Sequence, residues 1–266
     1  MSNFKLVAID LDGTLLNDHH ELTLRNRKTI QNVLDRGVQV TLVTGRVFKS
    51  AVFYADELGL ESPLVLCNGA LIKNRDAQVL YAARLAMAIT RKILQFAELN
   101  KIYAKVYIED VLFVKEENEE ARDFAKTHRI DCKAIGELSS HIMAEPYLIV
   151  FRGQSERITE LARQVESEFG ENVSMTQSFP TSLEIMAARV SKREALIGVA
   201  KRFQIAREAV LAIGNSLNDL EMLEWAGQGM AMANSYALLK ERWSTVSLYD
   251  NNHDGVARIL EEYVLN

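Results

Sequence analysis

Lys5-Leu-Val-Ala-Ile-Asp-Leu-Asp-Gly-Thr-Leu-Leu16 is the stretch on which the rest of the chain turns. Residues 6–9 form an apolar run with β-branched members, short enough for a strand buried on both faces. Alternate residues of an extended chain point to the same side, so Asp10 and Asp12 project together from the end of that strand. Gly13 lets the backbone turn sharply after them. Two close carboxylates repel, and are tolerated only where a cation sits between them or one holds a proton. The pair indicates a magnesium-type site or an acid/base pair. It lies at the carboxyl end of a strand, where open α/β sheets bind ligands.

Outward from this stretch, residues 23–36 read as a helix, with Leu24, Ile30, Val33 and Leu34 near one face and Gly37 closing it. Residues 38–43 form a strand that runs into Thr44-Gly45-Arg46. A helix over 48–58, a strand over 63–67 ending at Asn68-Gly69, and a hairpin over 71–80 turning at 74–76 follow. Near Ala82 the rhythm changes. Helices over 86–100, 116–127 and 155–169 alternate with strands over 103–108, 111–114, 147–151, 173–178 and 183–186, the pattern of an α+β unit with an antiparallel sheet. From Val190 the first rhythm resumes: a helix over 192–203, a strand over 209–213, a helix over 217–226, candidate strands over 229–232 and 245–248, and a closing helix over 255–263. The expected fold is α/β, a doubly wound, mostly parallel Rossmann-like sheet. Residues 1–82 and 190–266 form the core, and residues 83–189 an inserted α+β cap.

The 266 residues are 48% hydrophobic and 25% charged, as in ordinary globular proteins. A net charge of -5 without a basic run argues against a nucleic-acid partner. No apolar stretch approaches the roughly 20 residues of a membrane span, and the N-terminus enters the first strand with no signal peptide. Cys67 and Cys132 are too few for a disulfide scaffold, which fits a reducing cytoplasm.

Three further groups carry chemistry. Thr44-Gly45 offers a hydroxyl and a backbone N–H at a strand end, suited to a phosphate oxygen, and Arg46 adds a candidate anion contact. Lys192 opens the helix that returns from the insert, where the helix dipole disfavours a cation and another role is expected. Gly214-Asn-Ser-Leu-Asn-Asp219 follows the strand over 209–213.

Asp10-Leu-Asp-Gly-Thr14 resembles the first motif of the haloacid dehalogenase-like hydrolases, most of them phosphatases. Thr44-Gly45, Val190-Ser-Lys-Arg-Glu-Ala-Leu196 and Gly214 to Asp219 resemble the three that follow, and the likeness, closest to Cof-type sugar phosphatases, covers essentially the whole chain. It implies that Asp10 is a nucleophile forming an aspartyl-phosphate, and that Asp12 is the general acid and base. It assigns Leu11, Thr44, Gly45, Lys192 and Asn218 to phosphate, and Asp10, Asp12, Asn215 and Asp219 to Mg²⁺, with Asp12 acting through its backbone carbonyl. Two positions depart from the pattern. Arg193 replaces the usual Gly after the Lys, and Asn215 replaces a metal-binding Asp. A neutral amide oxygen should hold a hard cation less firmly than a carboxylate, so the site would bind Mg²⁺ more weakly or lean on Asp219 and Ser216. Natural tuning, an introduced change and partial decay are the open explanations of Asn215. The intact Asp10, Asp12, Thr44, Lys192, Asn218 and Asp219 argue against wholesale decay.

The resemblance implies Mg²⁺-dependent hydrolysis of a small phosphate ester, such as a sugar phosphate, in the cytoplasm. A phosphotransferase such as a phosphomutase, or a non-catalytic phosphometabolite sensor, are the alternatives. Asp12 needs a raised pKa to donate a proton, and nearby negative charge is expected to supply it. Arg46, Arg152 and Glu184 are candidates to face the substrate, with structural or solvent-facing roles as the alternative for the last two. His19 and His20 fall in a polar loop with no zinc pattern, His128, His141 and His253 read as surface positions, and Met230 and Met232 read as core.

Overall fold

Residue alternation along the first strand sorts the chain into layers. The structure is a computed structural model and describes residues 3–266. The elements run β1 (Leu6–Ile9), α1 (Leu24–Asp35), β2 (Gln39–Leu42), α2 (Phe48–Leu58), β3 (Leu64–Leu66), β4 (Leu71–Lys73) and β5 (Val79–Ala82). Next come α3 (Met87–Leu99), β6 (Tyr103–Ile108), β7 (Val111–Val114), α4 (Glu119–His128), β8 (Asp131–Ala134), α5 (Leu138–His141), β9 (Leu148–Arg152), α6 (Ser155–Phe169), β10 (Val173–Thr176) and β11 (Ser182–Ala187). The chain ends with α7 (Lys192–Arg202), β12 (Val210–Gly214), α8 (Leu220–Trp225), β13 (Gln228–Ala231), α9 (Ala237–Lys240) and α10 (Gly255–Leu260).

The first sheet has the order β13-β12-β1-β2, all parallel. A single bridge from Val43 to Val65 continues it toward the antiparallel β3-β4-β5 sheet. Val7 and Ile9 of β1 pack with Ile30 and Val33 of α1 and Val256, Ile259 and Leu260 of α10. Leu6 and Ala8 pack on the opposite face with Leu196 and Val199 of α7 and Met222 and Leu223 of α8. Helices thus cover both faces, and a strand with two buried faces must be apolar at every position. The doubly wound α/β architecture is as expected.

The second sheet has the order β10-β11-β9-β6-β7-β8 and is antiparallel except for β7 with β8. One face, with Ala104, Val106, Ile149, Phe151, Leu183 and Ile185, packs with residues of α3 and α6. The register sets Tyr103, Lys105 and Tyr107 beside Arg152, Val150 and Leu148, with Ser182 and Glu184 beyond them, on the other face. Tyr107, Leu148 and Val150 join the apolar cluster of the first sheet, so this face closes over the carboxyl ends of the parallel strands.

Four expectations change. Leu24 is exposed, because the inward side of α1 at that end is the polar Asn26, which donates to Leu15 O and accepts from Ala257 N–H. Residues 245–248 are no strand and make a single bridge, Val246 to Ala231. β8 and α5 were not anticipated, since Asp131-Cys-Lys-Ala134 is a largely exposed edge strand without apolar alternation and α5 has four residues. The segment over 217–226 begins with a tighter turn, Leu217–Asp219, before α8.

Candidate active site

β1 ends by aiming Asp10 at the mouth of the sheet, where its backbone N–H still bonds Ile213 O of β12 at 3.0 Å. The carboxylate is buried. Its Oδ1 accepts from Lys192 Nζ at 2.7 Å, and the same ammonium reaches Asp219 Oδ1 at 2.6 Å. The Lys192 side chain is 0% exposed and Asp219 equally so. This explains a lysine at the first position of α7, where the dipole opposes it: two buried carboxylates outweigh the helix. Ser191 caps that helix by accepting from Glu194 N–H. Burial pushes the Asp10 carboxyl up against the pull of Lys192, and Asp219 adds to the rise. Burial also works against the Lys192 ammonium, yet the two carboxylates push its pKa above the ordinary lysine value. The other oxygen of Asp10 takes no hydrogen bond among the described residues.

Asp12 faces a different partner. Arg46 grips it with Nε to Oδ2 at 2.7 Å and Nη2 to Oδ1 at 2.5 Å, and Nη1 is anchored on Ser50. His20 Nδ1 lies 3.2 Å from Asp12 Oδ1. Burial alone would raise the Asp12 carboxyl, but the forked Arg46 contact holds it well below the ordinary carboxylate range. The raised pKa expected of Asp12 is thus reversed here: the nearest charge is a guanidinium rather than a carboxylate. Arg46, buried to 5% exposure, is an ion-pair partner of Asp12 and lines the same cavity.

The loop after β12 wraps Asp219. Its Oδ2 accepts from the N–H groups of Asn215 and Ser216, both at 2.9 Å. Asn215 Oδ1 accepts from Thr14 Oγ1 and Ser216 Oγ, while its Nδ2 makes no hydrogen bond among the described residues. Gly13, at φ +76°, passes so close that a Cβ there would sit 2.4 Å from Asn215 Nδ2. The left-handed backbone there favours glycine, and a Cβ would also displace the Asn215 amide. Thr44 Oγ1 accepts from Arg46 N–H at 3.1 Å, leaving its own proton to donate.

A cavity of about 370 Å³ joins these groups to the second sheet, within the range of small-molecule sites. Asp10, Asp12, Thr44, Gly45, Asn215 and Asn218 line its floor, and Arg46, Arg152 and Glu184 line it too. Lys192 and Asp219 stand behind Asp10, and Leu11 is buried in the core. A polar bridge spans the two sheets. Asn218 Nδ2 donates to Asn68 Oδ1 and to Ser178 Oγ, Asn68 Nδ2 donates to Glu184 at 2.6 Å, and Ser178 Oγ donates to Glu184 at 2.8 Å. Asn218 Oδ1 is buried without a partner among the described residues. Burial pushes the Glu184 carboxyl up against these donors.

His20 and His128 correct the bland reading given to them. Both line the cavity. His128 stacks on Phe124 at 3.8 Å, one helical turn away on α4, and burial brings its pKa down to about 4. The Phe124/His128 spacing of four was a usable signal. His20 carried none, because its loop meets Asp12 only through the tertiary fold.

The haloacid dehalogenase-like hydrolase family matches residues 7–260. A Bacillus subtilis 5-amino-6-(5-phospho-D-ribitylamino)uracil phosphatase, YcsE, is 31% identical, and the match covers 99% of this chain and 97% of that protein. Among solved structures, a haloacid dehalogenase-like hydrolase from B. subtilis aligns with a TM-score of 0.88 at 25% identity, covering 98% of this chain and all of the other. A protein from Thermotoga maritima aligns with a TM-score of 0.79 at 29% identity, covering 97% of each. With Asp10 and Asp12 at the mouth of a parallel sheet and the family matching along nearly its full length, the chain belongs to the haloacid dehalogenase-like hydrolases, as an enzyme of their phosphatase branch.

Proposed function

We propose that the protein is a Mg²⁺-dependent phosphatase acting on small phosphorylated metabolites through an aspartyl-phosphate on Asp10. The observation that carries this is the Asp10 carboxylate: it faces the cavity with one oxygen held by Lys192 and the other, among the described residues, without a hydrogen bond. A carboxylate so oriented can attack phosphorus and divide one displacement into two easier ones.

The donor set fits Mg²⁺, which takes oxygen ligands from one or two carboxylates and fills the rest with water and phosphate. Asp10, the Asp12 carbonyl and Asn215 Oδ1 would hold it, the Thr14 and Ser216 hydroxyls being free to rotate away from that amide oxygen. Asp219, whose oxygens are already engaged by Lys192 and two backbone N–H groups, would support it through Asn215. When bound, the ion supplies Lewis-acid stabilisation of the phosphoryl charge.

The chain's own residues do the rest. Lys192, Thr44, the Gly45 N–H and Asn218 neutralise or orient the phosphoryl oxygens beside Leu11. Asp10 attacks, the ester P–O bond breaks, and Asp12 gives its proton to the leaving alkoxide. Asp12 then takes a proton from water, the water oxygen attacks phosphorus, and the bond to Asp10 breaks to release inorganic phosphate. Asp12 is an acid only while Arg46 is turned from it toward the phosphoryl group, and the resting pair with Arg46 suits the base step. Residues 83–189 act as the cap that closes the cavity, with Arg152 and Glu184 on its inner face. The YcsE relative is named for a ribityl-pyrimidine phosphate, consistent with a substrate of sugar-phosphate size here.

The test is release of inorganic phosphate from an aryl phosphate with Mg²⁺, by the wild-type protein and by Asp10→Asn. Wild-type turnover that Asp10→Asn abolishes is expected. No release by the wild type, or retained release by the variant, overturns the reading.

A further inference from the structure

On the inner face of the second sheet two cations gather at one carboxylate. Lys105 on β6 is 2% exposed, yet it lines the cavity, and among the described residues its ammonium has one carboxylate partner, Glu120 Oε1 at 3.0 Å. Arg152 on β9 shares that same oxygen, with Nε at 3.3 Å, and sends Nη1 to Thr181 Oγ1. The register sets Arg152 opposite Tyr103 and Lys105 opposite Val150, so the two cations emerge on one side of adjacent strands. Glu184 does not answer them, because its oxygens bond Asn68, Ser178 and Ser182. Two cations therefore share one half-exposed carboxylate beside apolar residues such as Leu148 and Val150. A buried ammonium with unfilled donors is costly unless an acceptor completes it. The phosphoryl group under attack cannot be that acceptor, since its contacts lie on the floor of the cavity, at Asp10 and Thr44.

We propose that Lys105 and Arg152 form a second anion subsite that binds a carboxylate or further phosphate on the leaving group, making the preferred substrate a phosphate ester with two anionic ends. This rests on the phosphatase reading and narrows it. Phe124 supports the subsite by lying under Lys105 Nζ, 4.3 Å from the ring centre, which fixes the ammonium without neutralising it.

The test uses equilibrium binding to the full-length Asp10→Asn protein, so no turnover is needed. Phosphoglycerate is compared with glycerol phosphate, and fructose bisphosphate with fructose monophosphate; the two pairs distinguish a carboxylate from a second phosphate. At least one member with two anionic groups is expected to bind roughly ten- to a hundredfold more tightly than its partner with one, as charge-assisted contacts allow. That ratio should fall about tenfold in Lys105→Met and in Arg152→Gln, and return in Lys105→Arg. Thermal unfolding reports on folding, and Arg152, being partly exposed, gives a variant that tests the subsite if Lys105→Met does not fold. Equal binding of both members of each pair, or variants that weaken both members by the same factor, overturns the proposal. Failure of the wild type to release phosphate from an aryl phosphate would instead remove the phosphatase reading and leave this result legible.

Discussion

Replacing Lys192 with Met removes the single cation between two buried carboxylates. Lys192 is 0% exposed and lies 2.7 Å from Asp10 and 2.6 Å from Asp219. Breaking a buried pair by deleting one partner costs about 3–5 kcal/mol, because the other charge stays behind in low dielectric. Here two charges stay, although Asp219 keeps the N–H groups of Asn215 and Ser216 on Oδ2. For a chain of this size each kcal/mol moves Tm by roughly 2–4 °C, so the loss is about 6–20 °C in the presence of a chelator. The sign of the pH dependence follows from the same geometry. Without the ammonium, burial and the neighbouring Asp219 charge push the Asp10 carboxyl further up. Groups whose folded pKa lies above the unfolded one contribute stability at low pH and lose it as pH rises. The gap between wild type and variant should therefore be widest at neutral pH and narrow on acidification. Adding Asp10→Asn leaves one carboxylate, and Lys192→Met should then cost less, by a coupling of about 1–3 kcal/mol. Differential scanning calorimetry of the four proteins measures this cycle. A Lys192→Met shift below about 3 °C, or a cycle with no coupling, would refute the compensating role assigned to the lysine.

Asn215→Asp should lower the Mg²⁺ half-saturation point about tenfold, near 1.4 kcal/mol. Among the described residues Asn215 Nδ2 makes no hydrogen bond to lose, and Oδ1 can keep Thr14 and Ser216; metal titration of both proteins checks it, and equal midpoints count against the donor set. Gly69→Ala should destabilise the protein by at least about 1–3 kcal/mol, since Gly69 sits at φ +100° and a Cβ would meet Ser191 O at 2.3 Å, next to Lys192. A Tm within about a degree of wild type would show that the turn and the start of α7 are not wedged together.

Much of the fold was legible because burial on two faces leaves a plain mark. Leu6 to Ile9 and Val210 to Ile213 are apolar at every position, and α6 has a strongly periodic face with Ile158, Leu161, Val165 and Phe169 buried. What was missed lacks such a mark: β8 is an edge strand with exposed residues, and residues 245–248 carry strand-like composition but make one bridge. Residues 10, 44 and 192 were singled out because local pattern and resemblance coincided, and Asn218 by resemblance alone. Their electrostatics were not legible. Whether Asp12 meets a carboxylate or a guanidinium depends on Arg46, 34 residues away, and no local spacing reports that distance. His20 joins the site by a different route, a loop that folds back onto Asp12 eight residues earlier.

The bridge from Asn218 to Ser178 and Glu184 makes the chain its own competitor. With the phosphate role proposed above for Asn218, the tethered Ser178 and Glu184 stand beside it at a high effective concentration, so an arriving ester would exchange one partner for another instead of gaining a new one. The apparent hold on any phosphate, including the released ion, is weakened accordingly. A tether of this kind trades grip for quick departure.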